Sequence, residues 1–157
     1  MATAVSRGVP IALLAAAART TSSNSGNLKD TSAAIPACEA VAFLLDVTAL
    51  SGTGSPAPVL DVWIDTSPDN GTTWFTAFKF AQVTTSTGAR RLNVRTTGIG
   101  ITEAGTEASV ATSVTSATNA NTVLAPDVRV RWEITGVTAS GTSTFGVWAI
   151  AMPAGSK

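Results

Sequence analysis

The chain has 157 residues, of which 45% are hydrophobic and 13% charged, and its ten basic and ten acidic side chains cancel. That length supports one domain with a real core, and the composition excludes a disordered chain. The balanced charge excludes a phosphate-binding surface, which needs clustered Lys and Arg; with no His anywhere, neither a Ser-His-Asp nor a Cys-His arrangement can be built.

An average soluble domain carries about 25% charged residues, and small free-standing domains usually keep a net charge for solubility. A neutral chain rich in Ser, Thr and Ala suits a protein whose surface is largely covered by partners. Cys38 is the single cysteine, so the fold has no internal disulfide and the thiol reads as buried and inert.

Residues 1–30 read as an N-terminal strand or arm followed by a loop. The opening imitates a secretory signal, with Arg7 before the apolar run Val9–Ala18 and Ala-x-Ala spacing at its end. The run is shorter than the ~20 residues a membrane-spanning helix needs, and we read Pro10–Ala18 as a buried first strand or a docking arm. Arg19–Lys29, rich in Thr, Ser, Asn and Gly, reads as a loop.

Ala40–Leu50 reads as a strand, with Val41, Phe43, Leu45 and Val47 on one parity. In Val59–Asp65, Leu60, Val62 and Ile64 point one way and Asp61, Trp63 and Asp65 the other, with the two carboxylates solvated. Thr73–Phe80 is a strand that sets Trp74, Thr76, Phe78 and Phe80 on one face. In Arg90–Thr96, Leu92 and Val94 point inward, while Arg91, Asn93 and Arg95 mark a wet face. Val128–Thr135 alternates most cleanly: Val128, Val130, Trp132 and Ile134 inward, Arg129, Arg131 and Glu133 outward. Thr142–Met152 closes the pattern, with Phe145, Val147, Ala149 and Ala151 opposite Thr144, Gly146, Trp148 and Ile150.

Residues 97–121 stand apart as a long, nearly uncharged insertion. A loop of that size is either functional or a contact arm, and Ile99, Ile101, Val110 and Val114 supply apolar contact points. A mobile insertion is the alternative, and a short helix within Thr102–Thr112 is compatible with its Glu and Ala content. Together the segments predict an all-β fold over residues 1–157: one antiparallel β-sandwich, jelly-roll-like, of about seven to eight strands, with an extended N-terminal segment and one long loop or arm.

Ser67-Pro68-Asp69-Asn70-Gly71-Thr72-Thr73-Trp74 matches S-x-D-x-G-x-T-W. This resembles the Asp box of sialidases and other β-propellers. Pro68 presets a turn, Asp69 accepts backbone N–H bonds, Gly71 permits positive φ, and Trp74 folds back as a lid. Ser67, Asp69, Gly71 and Trp74 are therefore assigned to a structural hairpin turn. The resemblance ends there. A propeller repeats its blade motif, this chain holds a single copy, and it has no Tyr for the sialidase nucleophile. Asp65, Ser67, Asp69 and Asn70 lack the Gly placement and bidentate Glu of an EF-hand, so turn chemistry is preferred to calcium. We expect no enzyme activity, no cofactor and no metal.

The order of features resembles small virion proteins of tailed bacteriophages. The stretches that carry this are Leu13–Thr20, Leu44–Ala49, Leu60–Trp74 and Val128–Ile134, with the apolar final strand. The resemblance implies a capsid decoration (cement) protein that binds the assembled shell and stabilises it by mass action. A neck or tail component is the alternative, as is a carbohydrate-binding module using Trp63 or Trp148. It further implies a homo-oligomer, with a trimer favoured, a major capsid protein as partner, location on the virion surface, and neither nucleic acid nor membrane as partner. Val9, Ile11, Leu13, Ile99, Ile101, Val110 and Val114 are the expected contacts.

Overall fold

The computed structural model describes residues 9–28, 38–52, 56–86, 90–97, 101–106, 125, 127–136 and 141–153. These residues are all-β, and among them no helix is long and apolar enough to cross a membrane. The elements are β1 (Val9–Arg19), β2 (Ser23–Asn24), β3 (Cys38–Ser51), β4 (Val59–Ser67), β5 (Phe75–Lys79), β6 (Val83–Thr84), β7 (Arg90–Thr97), β8 (Ile101–Thr106), β9 (Asp127–Thr135) and β10 (Thr142–Pro153). Eight of them have five residues or more; β2 and β6 are two-residue ladders.

They form two antiparallel sheets packed as a sandwich. Sheet A has the order β1-β10-β3-β7-β8; sheet B has the order β2-β9-β4-β5, with β6 also on β4. The alternation explains why. Val41, Phe43, Leu45 and Val47 of β3 and Phe145, Val147 and Ala149 of β10 are buried against Leu60, Val62 and Ile64 of β4 and Val128, Val130, Trp132 and Ile134 of β9. Each apolar face is sterile in water and is covered only by the other sheet. Aromatic pairs cross between the sheets: Phe43 meets Phe78 at 5.1 Å, and Trp132 meets Phe145 at 5.9 Å.

Several expectations change. Pro10–Ala18 does form a strand, at the edge of sheet A, but only Leu13 of it is buried; Ala15 to Ala18 are exposed. An edge strand has a single neighbour and shields little of itself. Two register shifts, between Ala12 and Leu14 and between Leu14 and Ala17, mark bulges. Within the expected loop Arg19–Lys29, residues Ser23–Asn24 pair with β9, and the Ser25 and Leu28 N–H groups donate to Val130 and Val128 carbonyls. That segment satisfies the free edge of β9.

The expected insertion also changes. Ile101–Thr106 extends sheet A as β8, in register from Leu92↔Thr106 to Thr97↔Ile101. The open edge of β7 supplies ladder partners that a helix there would forgo. Ile99, Val110 and Val114 lie outside the described residues, as does most of the segment that follows β8.

The strand after the turn differs as well. Ile64 pairs with Phe78 and Asp65 with Thr76, so two steps on β5 match one on β4 and Ala77 is a bulge. Phe78 and Phe80 therefore point into the core, while Thr76 lies on the outer face beside Asp65. Strict alternation would have put all of them on one side. Gly136, at φ 71, ends β9; a Cβ there would lie 2.6 Å from the Pro56 and Ala57 carbonyl oxygens. Gly136→Ala should therefore cost about 1–3 kcal/mol through left-handed strain and displaced backbone, read as a lower denaturation midpoint at unchanged slope.

Candidate functional site

The turn after β4 is a closed hydrogen-bonded clasp, and the structure brings Ser67, Asp69, Gly71 and Trp74 together in it. Ser67 Oγ donates to Asp69 Oδ1 at 2.7 Å and accepts from the N–H groups of Asp69 at 3.3 Å and Gly71 at 2.9 Å. Asp69 Oδ1 also accepts the Thr73 N–H at 2.7 Å. Asn70 and Gly71 both have positive φ, 59° and 83°, which the tight reversal requires. Trp74 lies back over Gly71 and its Nε1 donates to the Gly71 carbonyl at 2.8 Å.

The Thr73 bonds to Asp69, backbone and side chain, followed by the Ser67 hydroxyl, lower the Asp69 carboxyl from 3.8 to about 2. A depressed carboxyl pKa means the folded state favours the ionised form. The clasp's contribution is therefore present above about pH 4 and is lost as pH falls toward 2. Asp69→Asn should flatten the acid limb of a stability–pH profile in that window, with little change at neutral pH in its slope against pH. Ser67→Ala should cost about 1–2 kcal/mol, because two N–H groups and one carboxylate oxygen lose their shared partner. Differential calorimetry would register that as a fall of roughly 2–8 °C.

The outer face of sheet B is a lattice of paired charges. Asp65 is only 2% exposed, against the expectation that it is solvated. Its oxygens accept from Arg129 Nε at 3.0 Å, Arg131 Nε at 2.9 Å, Arg131 Nη2 at 3.3 Å and Thr76 Oγ1 at 3.0 Å. Register explains the burial: Asp65 sits in β4 between Arg129 on β9 and Thr76 on β5, and long neighbouring side chains close over a short one. Asp61, also buried, meets Lys79 Nζ at 2.6 Å and Gln82 Nε2 at 3.0 Å.

Rings complete the lattice. Lys79 Nζ lies 5.0 Å and Arg131 Cζ 4.2 Å from the Trp63 ring centroid, and Arg129 Cζ lies 4.4 Å from that of Trp74. The two cations on Trp63 come from strands on opposite sides of β4, so that indole is engaged by the protein itself. All oxygens of Asp65 are committed to Arg and Thr donors, which leaves it unsuited to a cation shared with the clasp. Among the described residues no group of three or more His, Cys, Asp or Glu side chains could hold a metal ion.

Sheet A presents a different outer face. Register aligns Pro10, Ile150 and Ala42 in one row across β1, β10 and β3, and Ala12, Trp148 and Leu44 in the next. Pro10 and Ala12 are exposed and the other four partly exposed. Trp148 folds down over Gly146, where a Cβ would lie 2.6 Å from the ring. Neither β1 before Arg19 nor any of β10 contains a charged residue. The charged positions return at Asp46 of β3 and along β7, where Arg91 and Arg95 stand opposite Asp46 and Ala42.

Of the expected contacts, Leu13 is part of the core and Ile11 packs against it, so both side chains are used within the chain. Val9 opens β1 and Ile101 opens β8. Sequence reasoning missed the Asp65 network and the rows on sheet A. The first required knowing which strands flank β4; the second was latent in the uncharged run of β10 but needed β1 and β3 as its neighbours. A comparison with protein-family models finds no match to this chain, and a search of curated proteins finds none either.

Proposed function

We propose that this protein is a structural subunit of a multi-copy particle, acting as a decoration (cement) protein on an assembled bacteriophage capsid. The observation that supports it is the contrast between the two outer faces. Sheet B is finished for water, its charges paired and its indoles covered by cations. Sheet A carries uncharged rows over β1, β10 and β3, a surface suited to contact rather than to solvent. The clasp stiffens the edge of the sandwich and does no chemistry in this reading. Binding to the assembled shell alone stabilises that shell by mass action.

The test is co-sedimentation with purified shells. The protein should pellet with assembled shells, fail to pellet with free capsid subunits, and raise the temperature at which shells release their contents. Binding at a single vertex would move the assignment to the neck or tail. Retention on immobilised glycans, lost in Trp148→Ala, would move it to a carbohydrate-binding module.

A further inference from the structure

We infer that the β1–β10–β3 half of sheet A is the contact surface between two copies of this chain. The inference rests on reading that face as a contact surface, and it names the occupant. The rows Pro10–Ile150–Ala42 and Ala12–Trp148–Leu44 lie side by side, with no charged residue in either. Small side chains and a Trp148 ring laid over Gly146 keep the patch flat. A flat, uncharged sheet face is complemented by another flat, uncharged sheet face, and sheets pack this way about 10 Å apart. A second copy supplies one by two-fold symmetry, since an isologous contact uses the same patch twice.

Two further observations favour a second copy. The patch has an apolar centre and a polar margin: the rows run out at β7 positions Arg95 and Asn93, and Asp46 with Arg91 occupies the next row. Homodimer interfaces show that centre-and-rim arrangement. The chain is also neutral, with ten basic and ten acidic residues, so two copies do not repel. The size fits as well. The strands hold 11, 12 and 14 residues. At about 3.3 Å per residue and about 4.8 Å between strands, they span a plane of roughly 600 Å² before its corrugation is counted. A standard interface buries about 800 Å² per partner.

A face-to-face sheet contact closes on itself in pairs, so it predicts a dimer where the family resemblance implies a trimer. The test is analytical ultracentrifugation of the whole chain over a concentration series. Wild type should sediment as a dimer that dissociates on dilution. Ala12→Lys, at an exposed position, and Ile150→Ser, at a partly exposed one, should each weaken dimerisation ten-fold or more while keeping the wild-type circular dichroism spectrum. Glu133→Lys, on the outer face of sheet B, should leave it unchanged. A wild type that is monomeric at every concentration, a trimer, or a dimer indifferent to whichever of the two substitutions folds would each overturn the inference. A monomer that still pellets with shells would overturn it and leave the decoration reading standing. A dimer that ignores shells would do the reverse.

Discussion

Asp65→Ala should lower stability by about 3–5 kcal/mol, the usual cost of leaving buried charges without their partner. Asp65 is 2% exposed and holds Arg129 and Arg131 together through their Nε groups. Removing its carboxylate leaves those guanidinium groups side by side over a partly buried site, with Thr76 Oγ1 also losing its acceptor. Both cations are stacked on indoles, Trp74 and Trp63, so they are not free to swing into water without giving up those contacts. For a chain of this size the thermal midpoint should fall by roughly 6–20 °C. Pairing Asp65→Ala with Arg131→Met should recover part of the loss, because the unpaired charge rather than the missing bond dominates. A double-mutant cycle with no coupling between the two positions would refute the shared-carboxylate account.

Arg19→Met should cost about 2–3 kcal/mol and loosen the N-terminal strand first. Arg19 closes the bulged end of β1. Its Nη1 donates to the Ala17 carbonyl at 2.9 Å and the Phe145 carbonyl at 2.6 Å, and its Nη2 to the Ala15 carbonyl at 2.8 Å. The register shifts in β1 interrupt the regular ladder to β10 there, and a planar fork of donors suits carbonyls that a ladder does not satisfy. The same guanidinium lies 5.2 Å from the Trp132 ring centroid and 4.6 Å from that of Phe145, which ties β1 to both sheets. Burial lowers its pKa from the ordinary 12.5. Arg19→Lys should recover only part of the stability, since one ammonium cannot reach three carbonyls with the same geometry. Amide exchange should rise in β1 before it rises in β3 or β4; uniform exchange across the sandwich would show that β1 and the core unfold together.

The clearest reading from sequence is β9. Val128, Val130, Trp132 and Ile134 are buried and Glu133 is exposed, as simple alternation dictates. The inward sets of β3, β4 and β10 are equally legible, because a period of two survives wherever a strand is regular. β5 is not legible in that way. The bulge at Ala77 separates Thr76 from Phe78, and no residue type announces a bulge of that kind. β8 was hidden for another reason. Its Glu, Ala, Gly and Thr residues favour no single element, and its pairing with β7 is what makes it a strand.

The sequence by itself determined the class of fold, the inward rows of four strands, and the clasp. Each of these rests on local physics: alternation, turn chemistry and the conformational freedom of Gly71 at φ 83. Only the tertiary structure decided that Asp65 is buried between two arginines, that Arg19 caps a bulged edge, and that Pro10, Ile150 and Ala42 form one row. Those features join residues far apart in the chain, and strand order and register bring them together.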